Sequence, residues 1–519
     1  MERPLTYLKQ RADEDWLIGY DSRQFLQLSE QLFSELTQQA NQGIPPKILL
    51  AEQHPLRFLA AFLAAVAAGC PVFLCNPNWV QKEWQQVFEL VQPDLIFGQE
   101  AIGNFPIPHS PLPITHYPLP NQIMIPTGGS SGKIRFAVHT WETLMASVRG
   151  FYQYFDQKPV NSFCVLPLYH VSGLMQFLRS FTTGGQMVIL PFKALVAGEG
   201  QQIDPKSFFI SLVPTQLARL ITSDSSAWLS RFQTVLLGGA PAWAQLLEQA
   251  RRHRIPLAPT YGMTETASQV VTLKPEAFLA GNNSCGQVLP HAQVTIRSST
   301  GEILGANQTG IITIQGDSLT LGYYPEVFPN SLNLPTNQPT NEPTCQRTNL
   351  PHDTDVTDTR IDASQSSAHP CSHPCRAQPS NPPTFQTDDL GFFDEQGYLT
   401  LVGRSSNKII TGGENVFPAE VEAAIQATQL VVDVCVTGVP DLHWGQAITA
   451  VYVPQSEMAS TALLQTAVKD KLSKYKQPKY WVPVDSLPRN SQGKVNYEQL
   501  QTIVMAWLET QKSSSSQLG

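Results

Sequence analysis

Between residues 48 and 262 the chain repeats one pattern: a short apolar run, a helix-length segment, then another apolar run. The runs at 48–51, 72–74, 94–97, 123–125, 162–166, 187–190, 207–213 and 234–237 have the length and apolarity of buried strands. The segments between them, helical in spacing over 56–68, 83–91 and 174–181, are too long for hairpin turns. A strand that waits a helix's length for its neighbour can pair with it in parallel. The pattern therefore predicts an α/β fold with helices packed on a largely parallel sheet. An amphipathic helix around 25–36 precedes it and breaks at Gly43-Ile-Pro-Pro.

After Gly286 the spacing turns to β, with strands expected at 293–297 and 310–315 and a pair joined by a turn at 394–397. Beyond a polar stretch at 404–407 a second compact pattern begins, with strands at 408–410, 431–437, 447–454 and 480–484. Helices are expected at 418–427 and 461–471 and through 498–508, then a frayed polar tail at 511–519. The fold class is thus a large N-terminal domain (1–404) of α/β sheets with a β-rich subdomain, and a small C-terminal α+β domain (405–519).

Residues 325–386 fit neither pattern. They hold eleven of the 41 prolines amid Asn, Thr, Ser and Gln, a composition that cannot bury enough surface to offset chain entropy, and a disordered insertion is expected. His369-Pro-Cys-Ser-His-Pro-Cys375 within it lacks the ligand spacing of a zinc ribbon or finger.

A chain of 519 residues with 42% apolar content suits two or more domains with sizeable cores. Its net charge of −8 argues against nucleic acid or an anionic membrane as main partner. The eight cysteines are scattered rather than framed for disulfides, which points to the reducing cytoplasm. The longest apolar run, 58–69, falls short of the roughly twenty residues that span a bilayer, so no stable membrane insertion is expected. The opening Met-Glu-Arg-Pro-Leu-Thr lacks the layout of a signal peptide. A homo-oligomer is compatible with all of this.

One loop carries chemistry on its face. The apolar run 123–125 ends in Thr127, Gly128, Gly129, Ser130, Ser131 and Gly132, and a second apolar stretch follows at 136–138. Glycine lets main-chain N–H groups converge on an anion and the hydroxyls add donors, which suits a polyphosphate; an ordinary turn is the plain alternative. A P-loop kinase motif, G-x-x-x-x-G-K-[ST], fails twice, with Thr127 in place of its first glycine and Ile134 in place of its hydroxyl.

Five stretches in order resemble the acyl- and aryl-CoA ligases of the adenylate-forming superfamily. Thr127-Gly-Gly-Ser-Ser-Gly132 is similar to the phosphate loop [ST]-[SG]-G-[ST]-[ST]-G-x-P-K, departing at Ile134 and Arg135. Tyr261-Gly-Met-Thr-Glu265, on an expected turn at 258–262, resembles Y-G-x-T-E, and Thr387-Asp-Asp389-Leu-Gly391 resembles [ST]-x-D-x-G. Gly403-Arg404 with Gly412-Gly-Glu-Asn-Val-Phe-Pro-Ala-Glu-Val-Glu422 is similar to G-R…G-x-N-x-x-P-x-E-[IV]-E, and Asn490-Ser-Gln-Gly-Lys494 to N-x-x-G-K. Within the family, Pro167-Leu-Tyr-His170-Val-Ser-Gly173-Leu and the tail Lys133-Ile-Arg-Phe136 resemble the o-succinylbenzoate–CoA ligases of menaquinone and phylloquinone synthesis.

The resemblance implies two steps: a carboxylic acid attacks ATP to give an acyl-adenylate and pyrophosphate, and coenzyme A then displaces AMP. It implies that residues 127–132 hold the β- and γ-phosphates, with Arg135 an added cation. Glu265 would bind Mg²⁺, with Thr264 beside it on a phosphate oxygen. Asp389 would take the ribose hydroxyls, Arg404 the ribose and phosphate side, and Gly239, Ala240, Pro241, Tyr261 and Gly262 the adenine. Lys494 would reach the reacting carboxylate and α-phosphate, His170 would gate the acyl pocket, and Gly412, Gly413 and Glu414 would meet coenzyme A once the mobile small domain rotates about 404–407. The residues alone also admit a helix-start carboxylate at Glu265, a core histidine at His170 and a solvated lysine at Lys494. The second carboxylate of o-succinylbenzoate calls for a cation or hydroxyl cluster, with Arg179, Thr182 and Thr183 as candidates and a surface face as the alternative. Another aryl- or fatty-acyl-CoA ligase, or a non-catalytic or acyl-carrier-binding member, are the competing readings.

Overall fold

A computed structural model of the chain describes residues 4–102, 120–128, 134–223, 225–242, 244–326, 383–405, 409–411, 414–441, 444–456, 459–469, 471–472, 474–489 and 493–516. The repeated strand–helix pattern builds two sheets. One runs in the order Tyr323–Tyr324, Ile134–His139, Ile123–Gly128, Val72–Leu74, Ile48–Leu50, Leu95–Phe97, parallel from Ile123–Gly128 onward. The other runs Leu17–Ile18, Met187–Ile189, Asn161–Cys164, Phe208–Leu212, Thr234–Leu237, Leu257–Met263, Ser268–Thr272, Gln287–Val288. Its first six strands are parallel and its last two antiparallel.

The helices Pro55–Ala67, Trp141–Tyr154 and Val171–Thr183 share one core with strands of both sheets. Burial on every side explains why Pro55–Ala67 is apolar around almost its whole circumference. His54 precedes it in extended conformation, with Pro55 in the first turn where no N–H is needed. Thr140 caps Trp141–Tyr154 by accepting from the Thr143 N–H.

The β-rich unit is an antiparallel sheet of Ala292–Arg297, Gly310–Gly316, Thr384–Phe393 and Leu399–Arg404. The C-terminal unit has a sheet ordered Glu414–Val416, Ile409–Thr411, Gly445–Pro454, Val431–Asp441, with Tyr480–Pro483 parallel to Gly445–Pro454. The helices Pro418–Gln426 and Thr461–Val468 pack with this sheet in one core and Tyr497–Ser516 in another.

Several boundaries differ from the sequence pattern. Residues 258–262 are not a turn but part of the strand Leu257–Met263, because Tyr261 pairs with Val271 across a bulge. Leu17–Ile18 adds an edge strand ahead of the first long helix. Thr461–Val468 stops short of residue 471, whereas the last helix continues through 511–516, where a frayed tail is expected. Most of the expected insertion, 327–382, lies outside the described residues. Its last residues do not belong to it, since Thr384, Phe385 and Gln386 already pair with Gln315, Ile314 and Thr313. No helix among the described residues is long and apolar enough to cross a membrane.

Candidate active site

Ligands in open α/β sheets bind beyond the carboxyl ends of parallel strands. Here the neighbours Thr234–Leu237 and Leu257–Met263 end in Gly238-Gly239-Ala240-Pro241 and in Thr264-Glu265-Thr266, a single 3₁₀ turn. Gly239 has φ +81°, and it is exposed together with Ala240 and Pro241. At Gly262 a Cβ would come within 2.2 Å of the Ser268 carbonyl oxygen, so the bulge admits only glycine. The chain leaves the turn through Ala267 at φ +52° and Ser268 at φ +108°, a strained exit for residues with side chains.

The phosphate-type loop sits at the open end of a β-hairpin. Ile123–Gly128 and Ile134–His139 pair antiparallel out to Gly128 opposite Ile134, with Thr127 opposite Arg135. Strand–loop–strand is not the strand–loop–helix of a P-loop, which removes the kinase reading by geometry as well as by motif. Gly129, Ser130, Ser131 and Gly132 lie outside the described residues, as do Gly412 and Gly413. Glu414 is described in its backbone, opposite Thr411.

Two side-chain networks hold the charged groups. The Tyr261 hydroxyl donates to Asp389 Oδ2 at 2.8 Å, and Arg404 Nε donates to Asp389 Oδ1 at 3.0 Å from the facing strand. Burial, then the neighbouring Asp389, raise the Tyr261 pKa, so the phenol stays a donor. Glu265 is buried; its Oε1 accepts from the Tyr323 hydroxyl at 2.5 Å and its main-chain carbonyl from the Thr320 N–H at 2.7 Å. The Arg135 guanidinium lies over the Tyr323 ring, its carbon 3.7 Å from the ring centroid. His139 Nε2 is 2.8 Å from the Thr264 carbonyl and Nδ1 is 3.0 Å from the Thr143 hydroxyl. Burial pulls the His139 pKa down to about 4, so this bridge between hairpin and turn is neutral.

Lys494 comes from the C-terminal unit. A Cβ on the preceding Gly493 would lie 3.8 Å from the Thr215 hydroxyl, so this turn touches the N-terminal unit. The Lys494 ammonium feels Arg404, Glu265 and Asp389, and crowding by protein atoms lowers its pKa although part of the side chain stays exposed. His170 precedes the helix Val171–Thr183; burial first, and Lys494 second, bring its pKa down to about 4.

Matches to known proteins follow this geometry. Residues 118–324 match the AMP-binding enzyme model and residues 420–494 the AMP-binding enzyme C-terminal domain. The 2-succinylbenzoate–CoA ligase of Listeria monocytogenes serotype 4b is 30% identical over 381 residues, which is 72% of this chain and 68% of that protein. The chain belongs to the AMP-binding enzyme family. The ligase of the same name from Geobacillus sp. (strain WCH70) is 28% identical over 511 residues, 94% of each chain. The o-succinylbenzoate CoA synthetase of Bacillus subtilis in complex with the acyl-adenylate intermediate OSB-AMP has a TM-score of 0.72 at 22% identity, covering 96% of this chain and 98% of that one. It shares the fold, a large N-terminal and a small C-terminal unit. The same synthetase with ATP and magnesium ion has a TM-score of 0.73 at 22% identity, covering 95% and 99%.

In this AMP-binding enzyme the structure brings Thr264, Glu265, Asp389, Arg404, Tyr261, Lys494 and His170 to one region. Three residues that motif reading missed brace it. Tyr323 holds Glu265, His139 holds the Thr264 carbonyl and Gln86 Oε1 accepts from the Ile134 N–H at 3.1 Å beside the hairpin loop. His139 follows the loop closely enough to be noticed in sequence; Tyr323 and Gln86 come from distant stretches and carried no local signal.

Of the candidates for a second acidic group, Thr182 and Thr183 are ruled out. Their hydroxyls bond the Leu178 and Arg179 carbonyls of their own helix at 2.7 Å each. Arg179, in contrast, is buried rather than on a surface face. Its Nη2 donates to Ser268 Oγ at 3.0 Å and Gln269 Oε1 at 2.9 Å, and its guanidinium carbon lies 4.0 Å from the Phe151 ring centroid. Burial draws its pKa down to about 9, still charged at neutrality. No carboxylate among the described residues pairs with it, and Arg179 Nε, Gln269 Nε2 and both ring nitrogens of His291 lack hydrogen-bond partners there.

Proposed function

We propose that the chain is an ATP-dependent acid–thiol ligase that activates o-succinylbenzoate as an acyl-adenylate and passes the acyl group to coenzyme A. The observation that carries the ligase reading is that the turn of the C-terminal unit that bears Lys494 reaches Thr215 of the N-terminal unit, within electrostatic range of Glu265, Asp389 and Arg404. The names of the curated relatives support the acid, as does a buried Arg179 that no carboxylate among the described residues pairs with.

In the first step a carboxylate oxygen of the acid bonds to the α-phosphorus of ATP, and the bond to the bridging oxygen breaks as pyrophosphate leaves. In the second, the thiol of coenzyme A attacks the acyl carbon, AMP leaves and one proton is released. Both steps depend on positioning and charge neutralisation more than on acid–base help. The hairpin loop would cradle the β- and γ-phosphates, and Asp389, fixed by Tyr261 and Arg404, would accept from the ribose hydroxyls. Gly239, Ala240, Pro241 and Gly262 leave open main chain for the adenine. Lys494 would neutralise charge at the α-phosphorus and then withdraw with the C-terminal unit, hinged near 404–407; residues 406–408 lie outside the described residues. Gly412, Gly413 and Glu414 would then meet coenzyme A.

The Glu265 carboxylate and Thr264 are hard oxygen donors that fit Mg²⁺. Among the described residues no group of three acidic, His or Cys side chains gathers, so Glu265 and Thr264 would hold the ion together with oxygens of the bound nucleotide. Bound there, Mg²⁺ neutralises the charge of the leaving pyrophosphate.

Arg179, on the helix that follows His170, reaches across to Ser268 and Gln269 of the strand that follows Glu265. A second carboxylate would supply the acceptor that Arg179 Nε and Gln269 Nε2 lack among the described residues. The unpaired cysteines Cys70, Cys75, Cys164, Cys285 and Cys435 suit the cytoplasm, where ATP and coenzyme A are available. The test is a panel of carboxylic acids assayed for thioester formation with ATP and coenzyme A. Turnover of o-succinylbenzoate, with none of 4-oxo-4-phenylbutanoate, which lacks the second carboxylate, is expected. Preference for a fatty acid would overturn the assignment.

A further inference from the structure

Lys494 acts from a turn, and the turn has a brace that no motif identifies. Arg489 and Val495 bridge antiparallel, and the Asn496 N–H donates to the Pro488 carbonyl at 2.8 Å, closing the base. Across it, Arg489 Nη1 donates to the Gly493 carbonyl at 2.7 Å, one residue before Lys494. Arg489 Nη2 donates to Asp433 Oδ2 at 2.6 Å. The other oxygen of Asp433 accepts from the Val434 N–H at 3.0 Å, so the carboxylate is held from both sides. It stands where the strand Val431–Asp441 shifts register against its neighbour.

The consequence is mechanical. Gly493 has φ +76°, a left-handed conformation that glycine adopts freely and can leave as freely. A carbonyl fixed at that residue removes the freedom, and the planar guanidinium transmits the fix to a strand of the domain core. The lysine side chain is long and flexible; its placement depends on the stem from which it starts. We propose that Arg489, anchored by Asp433, is a positioning residue that presents Lys494 to the reacting phosphate. The proposal rests on the ligase reading and on Lys494 acting in the first step. It predicts that loss of the brace harms adenylation and spares thioester formation, in which Lys494 takes no part.

The experiment measures two half-reactions on the full chain: ATP–pyrophosphate exchange with o-succinylbenzoate, and thioester formation from supplied acyl-adenylate and coenzyme A. Arg489→Ala is expected to lower exchange kcat by about tenfold or more, with KM for ATP and the thioester step each changed less than about twofold. Arg489→Lys, which keeps a donor toward Asp433, is expected to recover part of that loss. Asp433→Asn, which keeps shape and removes charge, reproduces the same selective loss even if Arg489→Ala folds poorly. Unchanged exchange in Asp433→Asn and in a folded Arg489→Ala, or an equal fall of both half-reactions in Asp433→Asn, overturns the proposal. Lys494→Ala is the reference: if it exchanges pyrophosphate normally, the role of the lysine fails, and the brace with it. If it loses exchange while both brace variants keep it, the brace alone fails.

Discussion

The Tyr323 hydroxyl donates to Glu265 Oε1 at 2.5 Å, joining an edge strand of one sheet to the turn that ends a strand of the other. Tyr323 is in turn covered by the Arg135 guanidinium, 3.7 Å from its ring centroid. Burial and the Glu265 charge raise the phenol pKa, so the proton stays on tyrosine.

Tyr323→Phe removes that donor and frees the carboxylate to rotate. A hydrogen bond to a charged group contributes roughly 1.5–3 kcal/mol, so kcat should fall by about tenfold or more. The Mg²⁺ concentration for half-maximal activity should rise several-fold, measured by titrating Mg²⁺ at saturating ATP. An unchanged Mg²⁺ dependence would remove Tyr323 from the site.

Lys494→Ala should reduce adenylate formation by about a hundredfold or more, the scale of losing one preorganised charge at a reacting phosphate. Thioester formation from supplied adenylate should be largely spared. Equal loss in both steps, followed by rapid quench, contradicts a lysine that serves one step only.

Arg179→Lys keeps the charge and loses the planar fork. The KM for o-succinylbenzoate should rise about tenfold while that for ATP stays within about twofold, since ammonium cannot reproduce paired N–H donation. Steady-state kinetics with each substrate varied is the check. A matching rise for ATP would mean that Arg179 merely supports the fold.

The C-terminal unit should lose stability as pH rises. Burial raises the Glu422 pKa to about 7, although its carboxyl accepts from the Val436 N–H at 2.7 Å. A carboxyl with a folded pKa above its unfolded value binds its proton more tightly when folded, so the folded state takes up more protons. Its stabilising contribution is full below pH about 4.5 and lost as pH climbs through about 7. His139 and His170, with pKa brought down to about 4, push the other way between pH 5 and 6.5, so the check is a comparison. In thermal melts of the intact chain from pH 5 to 8, the Tm of the chain minus that of Glu422→Gln should fall by a few degrees as pH rises. A constant difference would remove Glu422 as the cause.

Sequence by itself determined the order of most elements, and the resemblance of five motifs implied a chemistry for them. Short apolar runs must bury and helix-length gaps force parallel pairing, so the α/β class followed from local periodicity. Tyr261, Glu265, Asp389, Arg404 and Lys494 were legible only through the family that their motifs together resemble; each stretch by itself also reads as an ordinary turn, helix start or solvated charge. Burial and long-range pairing were not legible, because both depend on what arrives from elsewhere in the chain. Periodicity left Arg179 between a pocket and a surface face; packing against Phe151, Ser268 and Gln269 buries it. Thr182 and Thr183 looked like free hydroxyls until the helix used them. Tyr323 lies 58 residues from Glu265, and Arg489 lies 56 from Asp433. Only tertiary structure brings such pairs within hydrogen-bond distance, because a side chain's partner is set by where strands cross rather than by what lies beside it in the sequence.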